Sequence, residues 1–320
     1  MGSATFALPT LDALFETGYT LTGVITQPDK PTGRGQVLQA TPVKKRAYEL
    51  QLPVYEPKSL KTDETRELIR ALAPDLIVVV AYGKILPSWL LQFPADGCVN
   101  LHGSLLPEYR GAAPVHWAIA NGEEKTGVCT MLLDEGLDTG GVFLCEETQI
   151  SPDETTPELY GRLAAKGAPL VVKTVEGILA GTLKPKPQDD SQATFAPILK
   201  KEDGFLNWTW NATKIHNRVR AFNPWPGTVT KFRGMNCKIL RTAVVAVWDG
   251  PPVGGHRPPL QLSPGTVVGM KGRLTVMCGD GMPIEILSIQ PENRKSVSGA
   301  DFANGARIQA GEKFDALMDN

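Results

Sequence analysis

A run of six apolar residues, Leu76 to Ala81, lacks polar alternation and constrains the fold more than any other stretch of the chain. A strand of this kind must be covered on both faces, which is typical of parallel sheets in α/β proteins. Strand-like and helix-like patterns alternate before it, as in LPVYEP followed by ETRELIRALA. The alternation predicts an α/β domain with a doubly wound parallel sheet.

The second half of the 320-residue chain has a different pattern. Short runs between glycine-rich turns, such as TVTKF, GRLTVMCG and MPIEILSIQ, predict a small β-barrel (OB-like) domain. Residues 251–264 are predicted as an excursion between two of its strands. Residues 183–197 hold three prolines, which predicts an extended linker. We therefore predict domains over 1–182 and 200–320, joined by a linker over 183–199.

Composition limits the class of protein. No apolar run approaches the ~20 residues that span a bilayer, so we expect no membrane association. The five cysteines form no CxxC pair and lie among apolar neighbours, which predicts buried free thiols rather than disulfides or zinc ligands. The first residues, MGSATFALPTL, lack the pattern of a secretory signal. We expect a cytoplasmic monomer.

The net charge of -1 conceals an asymmetry. Residues 1–200 hold 18 Lys plus Arg against 24 Asp plus Glu, whereas residues 201–320 hold 15 against 10. A further basic cluster occupies residues 28–46, where Asp29 is the only acidic residue. Basic patches are often plain solvated surface, but two of them on a near-neutral protein favour an anionic macromolecular partner.

Polar groups, glycines and prolines are most concentrated in residues 98–142. In VNLHGS, strand alternation places Asn100 and His102 on one face near the strand end. In TMLLDEGLDTGG, an apolar run precedes Asp134 and Asp138, which a loop should carry. An amide, an imidazole and a carboxylate in one crevice can handle a proton and a developing oxyanion. Singly, such a His is more often structural and such an Asp forms a turn, so the hypothesis depends on the combination.

The motif NLHGSLLPEYRGAAP, followed by DEGLDTG, resembles the folate-dependent formyltransferase family. The resemblance continues through TQPDKPTGRG and RAFNPWPGT, so it covers nearly the whole chain, and these flanking segments are similar to the tRNA-specific branch. It implies formyl transfer from 10-formyltetrahydrofolate to the amino group of methionine on charged initiator tRNA, without a metal.

The resemblance also implies roles for particular residues. Asn100 and His102 would hold the oxyanion, while Asp138 would orient His102 and help to remove the amine proton. Two segments that follow strands would line the folate pocket. One consists of Tyr82 and Gly83, and the other of Ser104, Leu105, Leu106 and Pro107. In this family an apolar strand precedes the turn that begins here at Met1, so we expect the first parallel strand to be absent.

For the tRNA, the resemblance implies that the loop over residues 27–46 contacts the acceptor end, with Arg34 in the matching position. The other tRNA-binding candidates are cations of this loop and of a predicted helix in the second domain: Lys30, Lys44, Lys45, Lys214 and Arg218. On that helix the apolar residues repeat at helical spacing, and we expect Lys214, Arg218 and Arg220 to make the solvent side basic.

Three other functions would each use part of these sequence features. Formyl transfer to a small amine, such as a nucleotide or amino sugar, would use the same three residues, but it would not need two basic clusters. A metal-dependent hydrolase could use His102, His116, Asp134 and Asp138, although no metal-ligand spacing is met. A non-catalytic RNA-binding module would have no use for the Asn, His and Asp set.

Overall fold

A computed structural model describes residues 1–32, 37–245, 262–269 and 272–317, so Arg34 and most of the predicted excursion over 251–264 lie outside the described residues. The chain divides into two units. One contains Met1–Val115, Lys125–Gln149 and Pro157–Pro197, and the other contains His116–Glu124, Ile150–Thr156 and Ile198–Asn320. The linker boundaries stay a prediction.

The elements up to residue 197 are α1 (Leu8–Glu16), β1 (Val24–Ile25), β2 (Lys30–Thr32), β3 (Val37–Gln39), α2 (Pro42–Glu49), β4 (Val54–Tyr55), α3 (Asp63–Leu72), β5 (Ile77–Val79), α4 (Ser88–Leu91), β6 (Cys98–His102), β7 (Arg110–Gly111), α5 (Pro114–Asn121), β8 (Lys125–Leu132), β9 (Val142–Gln149), α6 (Thr156–Leu179) and β10 (Phe195–Ala196). The later elements are α7 (Ala212–Phe222), β11 (Thr228–Phe232), β12 (Met235–Val244), β13 (Val267–Gly269), β14 (Leu274–Met277), β15 (Pro283–Pro291), β16 (Val297–Ser298), α8 (Gly299–Gly305) and β17 (Phe314–Asp315).

The first unit has the predicted α/β fold, with a sheet that is parallel on one side and antiparallel on the other. β1 pairs with β4 and β5 with β6 in parallel, whereas β6 pairs with β8 and β8 with β9 antiparallel. The helices cover the sheet as their patterns require. In α3, for example, the Thr62 side chain caps the Thr65 N–H, and Ile69 is buried against the core that contains Ile77 and Val79.

The position between β1 and β5 is not vacant. The Met1 nitrogen donates to the Val78 carbonyl at 2.6 Å, the Val80 N–H donates to the Met1 carbonyl at 2.9 Å, and the Gly2 N–H donates to the Ile25 carbonyl at 3.0 Å. Gly2 forms a parallel bridge with Val80. Two residues therefore join the two parallel pairs, where we expected no strand at all.

A cavity of about 480 Å³ adjoins these two residues. Residues 21–25 and 76–78 line it, together with apolar residues of α1 and α6 such as Leu11, Leu14 and Val175. The buried Thr10 hydroxyl in its wall has no hydrogen-bond partner among the described residues. Neither His102 nor Asp138 lines this cavity.

Residues 27–46 contain more regular structure than the predicted loop. β2 and β3 form a two-stranded antiparallel ribbon. α2 begins at Pro42, directly after Thr41, whose side-chain oxygen accepts a hydrogen bond from the Lys44 N–H at 3.1 Å. The loop prediction was therefore wrong for the residues after Thr41, where proline at the first helical position marked a helix start.

The cysteines also differ from expectation. Cys129 and Cys145 face each other across β8 and β9 and form a disulfide, whereas Cys98, Cys237 and Cys278 are free and buried. The bonded cysteines are 16 positions apart in the sequence, and the register of the hairpin brings them together. The prediction of free thiols was wrong for these two.

The second unit is a curled antiparallel sheet in the order β13-β14-β15-β12-β11-β17, with β16 on β15. Its two ends meet, because the Val267 N–H donates to the Glu312 carbonyl at 2.7 Å and the Phe314 N–H to the Gly265 carbonyl at 2.8 Å. The inward residues of the sheet form a core with the apolar face of α7, including Ile215. This closure agrees with the predicted small barrel. No described helix is long and apolar enough to cross a membrane.

Candidate active site

His102 lies at the end of β6, and both of its ring nitrogens have partners. Nε2 lies 3.2 Å from Asp138 Oδ2 and 3.3 Å from the Gly111 carbonyl oxygen. Since both oxygens accept, Nε2 carries a proton. Nδ1 lies 2.9 Å from Ser104 Oγ, which donates to the Glu108 carbonyl at 2.6 Å. These contacts hold the His102 ring between the Ser104 hydroxyl and the Asp138 carboxylate.

Ser104, His102 and Asp138 resemble a hydrolase triad in composition but not in arrangement. Ser104 is completely buried, and its hydroxyl proton points to a backbone carbonyl rather than to a base. It cannot act as the nucleophile that such a triad provides. Ser104 Oγ contacts the His102 ring, and the folate contact that the resemblance implied stays a prediction.

Asp138 is a half-buried carboxylate held by several donors. Its Oδ2 accepts the Gly111 N–H at 2.8 Å as well as the His102 proton. Burial alone would raise the pKa of Asp138, but the hydrogen bond and charge of His102, the Gly111 N–H and the charge of Arg110 together lower it below its ordinary value. Among the described residues, nothing donates to Oδ1. This oxygen is free to take a proton.

The Asp138 loop reaches the site by running back along β6. β8 is antiparallel to β6, with Leu132 opposite Val99 and Cys129 opposite His102. The loop that follows β8 therefore starts near the amino end of β6 and has to return toward His102. Asp138 itself has a positive φ of 53°, which is uncommon outside glycine.

Asn100 lies two residues before His102 on β6, so both side chains project from the same face of the sheet. Its backbone is fixed on both sides, because it pairs with Val79 and Met131. Within the described part of the chain, no hydrogen bond to its side-chain amide is found, which leaves the amide available to a ligand. An amide donor, an imidazole and a carboxylate can together stabilise an oxyanion and accept a proton.

The segment that follows β5 offers backbone and apolar surface rather than polar side chains. Tyr82 is buried in the core, where burial raises the pKa of its hydroxyl to about 12. The Tyr82 carbonyl accepts from Ser3 Oγ at 3.1 Å and from Gln27 Nε2 at 2.7 Å. Gly83 has a φ of +77°, and a Cβ there would lie 2.6 Å from Gln27 Nε2. The positive φ favours glycine at this turn, and a larger residue would displace the Gln27 side chain.

The segment after β6 provides three half-buried apolar side chains, Leu105, Leu106 and Pro107. A further apolar residue was missed by the sequence analysis. Ile85, two residues after Gly83, is 91% exposed. This exposure is visible in the structure and not in the sequence.

Other titratable candidates are structural. Asp134 Oδ1 accepts the Gly136 N–H at 3.0 Å and the Thr139 hydroxyl at 2.7 Å, which is an Asx-turn. Burial lowers the pKa of His116. Among the described residues, no group of three or more His, Cys, Asp or Glu side chains could hold a metal.

Two basic candidates near α2 are already engaged. Lys44 Nζ lies 2.8 Å from a Glu56 oxygen and 2.9 Å from an Asp29 oxygen, and these hydrogen bonds raise the pKa of Lys44 above its ordinary value. Lys30 donates to the Gln27 side chain. Lys45 is exposed. Acidic residues from outside the segment therefore neutralise part of the basic cluster that the sequence showed.

The cations of α7 do not all face solvent. Lys214 is exposed and lies 4.8 Å from the Trp210 ring centre. Arg218 is half-buried, with its guanidinium 5.1 to 5.4 Å from the rings of Trp117, Trp210 and Phe222, and its Nε has no partner among the described residues. Burial lowers the pKa of Arg218.

Arg220 was predicted on the solvent side of α7, and that prediction is wrong. It is buried, and its guanidinium donates to Asn217 Oδ1 and to the carbonyls of Ser151 and Glu154. The guanidinium therefore links α7 to the backbone of residues 151–154.

Comparisons with known proteins agree over the whole chain. The formyl transferase family matches residues 1–175, and the formyl transferase C-terminal domain matches residues 198–307. The methionyl-tRNA formyltransferase of Solibacter usitatus (strain Ellin6076) is 46% identical over 314 residues, which cover 98% of this chain and 97% of that protein. The methionyl-tRNA formyltransferase of Geobacter sulfurreducens is 45% identical over 316 residues, which cover 98% and 95%.

Among solved structures, an N-formyltransferase from Helicobacter canadensis, in complex with folinic acid and dTDP-3-aminofucose, superposes with a TM-score of 0.65. The superposition covers 91% of this chain and 97% of that chain at 19% sequence identity. At this identity the similarity shows the fold alone.

Proposed function

Because the chain belongs to the formyl transferase family, which matches both of its halves, we propose that it transfers a formyl group from 10-formyltetrahydrofolate to the amino group of methionine on initiator tRNA. The relatives that are named methionyl-tRNA formyltransferase align along nearly its full length, including the second unit. The charged initiator tRNA and the folate donor are its two substrates. We also propose that the protein is a cytoplasmic monomer.

The observation that carries the chemistry is the His102–Asp138 pair beside Asn100. The methionine nitrogen forms a bond to the formyl carbon, and the bond from that carbon to N10 of the folate breaks. Asn100 donates to the oxyanion that develops on the formyl oxygen, and the His102 ring lies on the same strand face. Both ring nitrogens already bind protein oxygens, so a direct His102 hydrogen bond to the oxyanion requires a change of partner.

The amine proton goes to the carboxylate of Asp138, whose Oδ1 accepts no hydrogen bond from the described residues. The lowered pKa of Asp138 keeps it ionised and able to accept at neutral pH. The folate N10 gains a proton as it leaves, so the proton count balances. No covalent enzyme intermediate is needed, in agreement with the buried, engaged hydroxyl of Ser104.

The folate donor is assigned to the segments that follow β5 and β6. Their usable groups are the backbone at Gly83 and the apolar side chains of Ile85, Leu105, Leu106 and Pro107. The buried side chains of Tyr82 and Ser104 hold these two segments in place. Apolar walls with a few backbone donors and acceptors suit a planar pterin ring.

For the tRNA, the exposed cations Lys45 and Lys214 are the best supported of the candidates. Lys30 stays in the proposal because it lies in β2 of the ribbon. Arg34 stays in the proposal because it belongs to the sequence motif TQPDKPTGRG. Lys44 contributes less, because two carboxylates neutralise it. Arg218 contributes mainly by holding the Trp117 and Trp210 rings in place.

Transfer to a small amine is the alternative, and the relatives that align along the whole chain do not favour it. An assay with labelled 10-formyltetrahydrofolate tests both. We expect label on methionyl initiator tRNA, and none on uncharged tRNA, on an amino-sugar nucleotide or in formate from water. Label on the amino-sugar nucleotide, with none on methionyl-tRNA, would replace the proposal by the alternative.

A further inference from the structure

Arg110 is buried next to the site, and it has no direct contact with His102 or Asp138 among the hydrogen bonds of the described residues. It is 3% exposed and precedes Gly111, the residue whose N–H and carbonyl contact Asp138 and His102. Its Nε and Nη2 donate to Gln188 Oε1 at 3.2 and 2.9 Å, and Nη2 also donates to Asp190 at 2.7 Å.

Gln188 uses the other end of its amide on the Asp138 loop. Its Nε2 donates to the Asp138 carbonyl at 2.8 Å and to the Gly140 carbonyl at 2.7 Å. The orientation of the amide is determined by its neighbours, since a flip would place the NH₂ group against the Arg110 donors and the oxygen against two carbonyls. The Gln188 side chain therefore connects Arg110 to the Asp138 loop.

The backbone around Gln188 is held in the same unit. Lys186 and Val142 exchange two hydrogen bonds of 2.8 Å, and β10 pairs with β7 so that Ala196 lies opposite Gly111. A Cβ on Gly111 would lie 2.6 Å from the Ala196 carbonyl. Gln188 is thus presented by a segment that is attached on both sides of it.

We propose that Gln188 and Arg110 are positioning residues, which hold the backbone of Asp138 in its left-handed conformation and place its carboxylate against His102. The proposal rests on the function proposed above for Asp138. A positive φ at a non-glycine residue costs energy and persists only where the surroundings impose it. The two hydrogen bonds from Gln188 to the carbonyls of Asp138 and Gly140 impose it here.

The substitution Gln188→Glu tests this with little change in shape. Glutamate still accepts from Arg110, but it loses both N–H donors to the loop and places an oxygen against two carbonyls. We expect kcat to fall about tenfold or more, because small misplacements of catalytic groups are costly. The KM for methionyl-tRNA and the circular dichroism spectrum should stay the same. The control is Asp190→Asn, which changes the 80% exposed partner of Arg110 and should leave kcat within about twofold.

A double-mutant cycle with Asp138→Asn separates positioning from general stability. If Gln188 acts through Asp138, then Gln188→Glu should have almost no further effect on kcat in the Asp138→Asn background. Equal effects in both backgrounds would overturn the positioning role, as would unchanged kcat in the single variant. If Gln188→Glu does not fold, Gln188→Met, which removes the polar atoms at similar length, takes its place in the same cycle.

The outcomes also separate this proposal from the proposed function. If wild-type protein does not formylate methionyl-tRNA, the function fails before the variants are compared. If wild type is active and Asp138→Asn retains full activity, the role of Asp138 fails. If Asp138→Asn is impaired but Gln188→Glu is not, only the positioning role fails.

Discussion

At the scale of single residues, Asp138 is the most informative test of the site. Replacing its carboxylate by an amide in Asp138→Asn keeps the size and an oxygen that can accept from Gly111, but removes the base. We expect turnover to fall by about two orders of magnitude or more, the effect of losing a positioned acid or base. Steady-state kinetics with methionyl-tRNA measures this, and circular dichroism checks the fold. Activity within about threefold of wild type would exclude Asp138 from the reaction.

The same substitution has a pH signature in stability. The folded pKa of Asp138 lies below its unfolded value of about 3.9, so its ionisation stabilises the folded state above that pH. This contribution disappears as pH falls through the lowered folded pKa. The difference in unfolding free energy between wild type and Asp138→Asn should therefore shrink as the pH of urea titrations is lowered toward that range. A difference independent of pH would contradict the lowered pKa.

The sequence predicted part of this site and could not predict the rest. Asn100 and His102 share a strand face through a two-residue spacing that is visible locally, and Asp138 was found from the same motif. Arg110 and Gln188 are 78 positions apart, and no local pattern connects them. Their contact depends on a segment that looks like a proline-rich linker in the sequence.

At the scale of elements, the first unit contains a cavity of about 480 Å³ beside Met1 and Gly2. Residues 21–25 and 76–78 flank it, and we expect a chain extended from Met1 between these segments to pair with both. A variant with five apolar strand-forming residues added before Met1 should melt at a higher temperature. Each apolar side chain buried contributes about 1.5–3 kcal/mol against an ordering cost of about 1–2 kcal/mol per residue.

We expect the midpoint to rise by about 3 °C or more, since one kcal/mol corresponds to about 2–4 °C in a domain of this size. A five-residue Gly-Ser extension is the matched control, because it adds length without apolar surface or strand propensity. Equal midpoints for both extensions would show that the cavity does not accept a strand.

Other elements show where local patterns failed. The apolar run before Asp134 predicted a strand but not its direction, because antiparallel pairing with β6 depends on the hairpin of β8 and β9. Helical spacing placed Ile215 and Val219 correctly in the core of the second unit. It misplaced Arg220, since a buried guanidinium can be stabilised by backbone carbonyls of a segment distant in sequence.

At the scale of the whole molecule, charge along the chain overstates the charge available to a polyanion. The cluster over 28–46 has one acidic residue in the sequence, but in space Lys44 meets Glu56, and Arg46 meets Asp12 and Glu49. Lys214 has no carboxylate within ion-pair distance among the described residues. Exposed, unpaired cations are the ones that release counterions when they bind phosphate.

Lys214→Gln should therefore weaken tRNA binding and make it less sensitive to salt. If Lys214 contacts one phosphate, the slope of log affinity against log salt should decrease in magnitude by about 0.7–0.9. The matched control is Lys125→Gln, which removes the same charge from a lysine that is 54% exposed and pairs with Glu147 at 2.9 Å. It should leave the slope unchanged. Filter binding of methionyl-tRNA across a salt series measures both variants.

Turnover at saturating tRNA should remain the same in Lys214→Gln, because phosphate contacts position the nucleic acid without entering the chemistry. Arg218→Gln should behave differently. The Arg218 guanidinium packs against three aromatic rings, so its loss should also lower the melting temperature. If Lys214→Gln and Lys125→Gln showed the same slope as wild type, α7 would not contact the phosphates, and tRNA recognition would have to come from other surfaces of the protein.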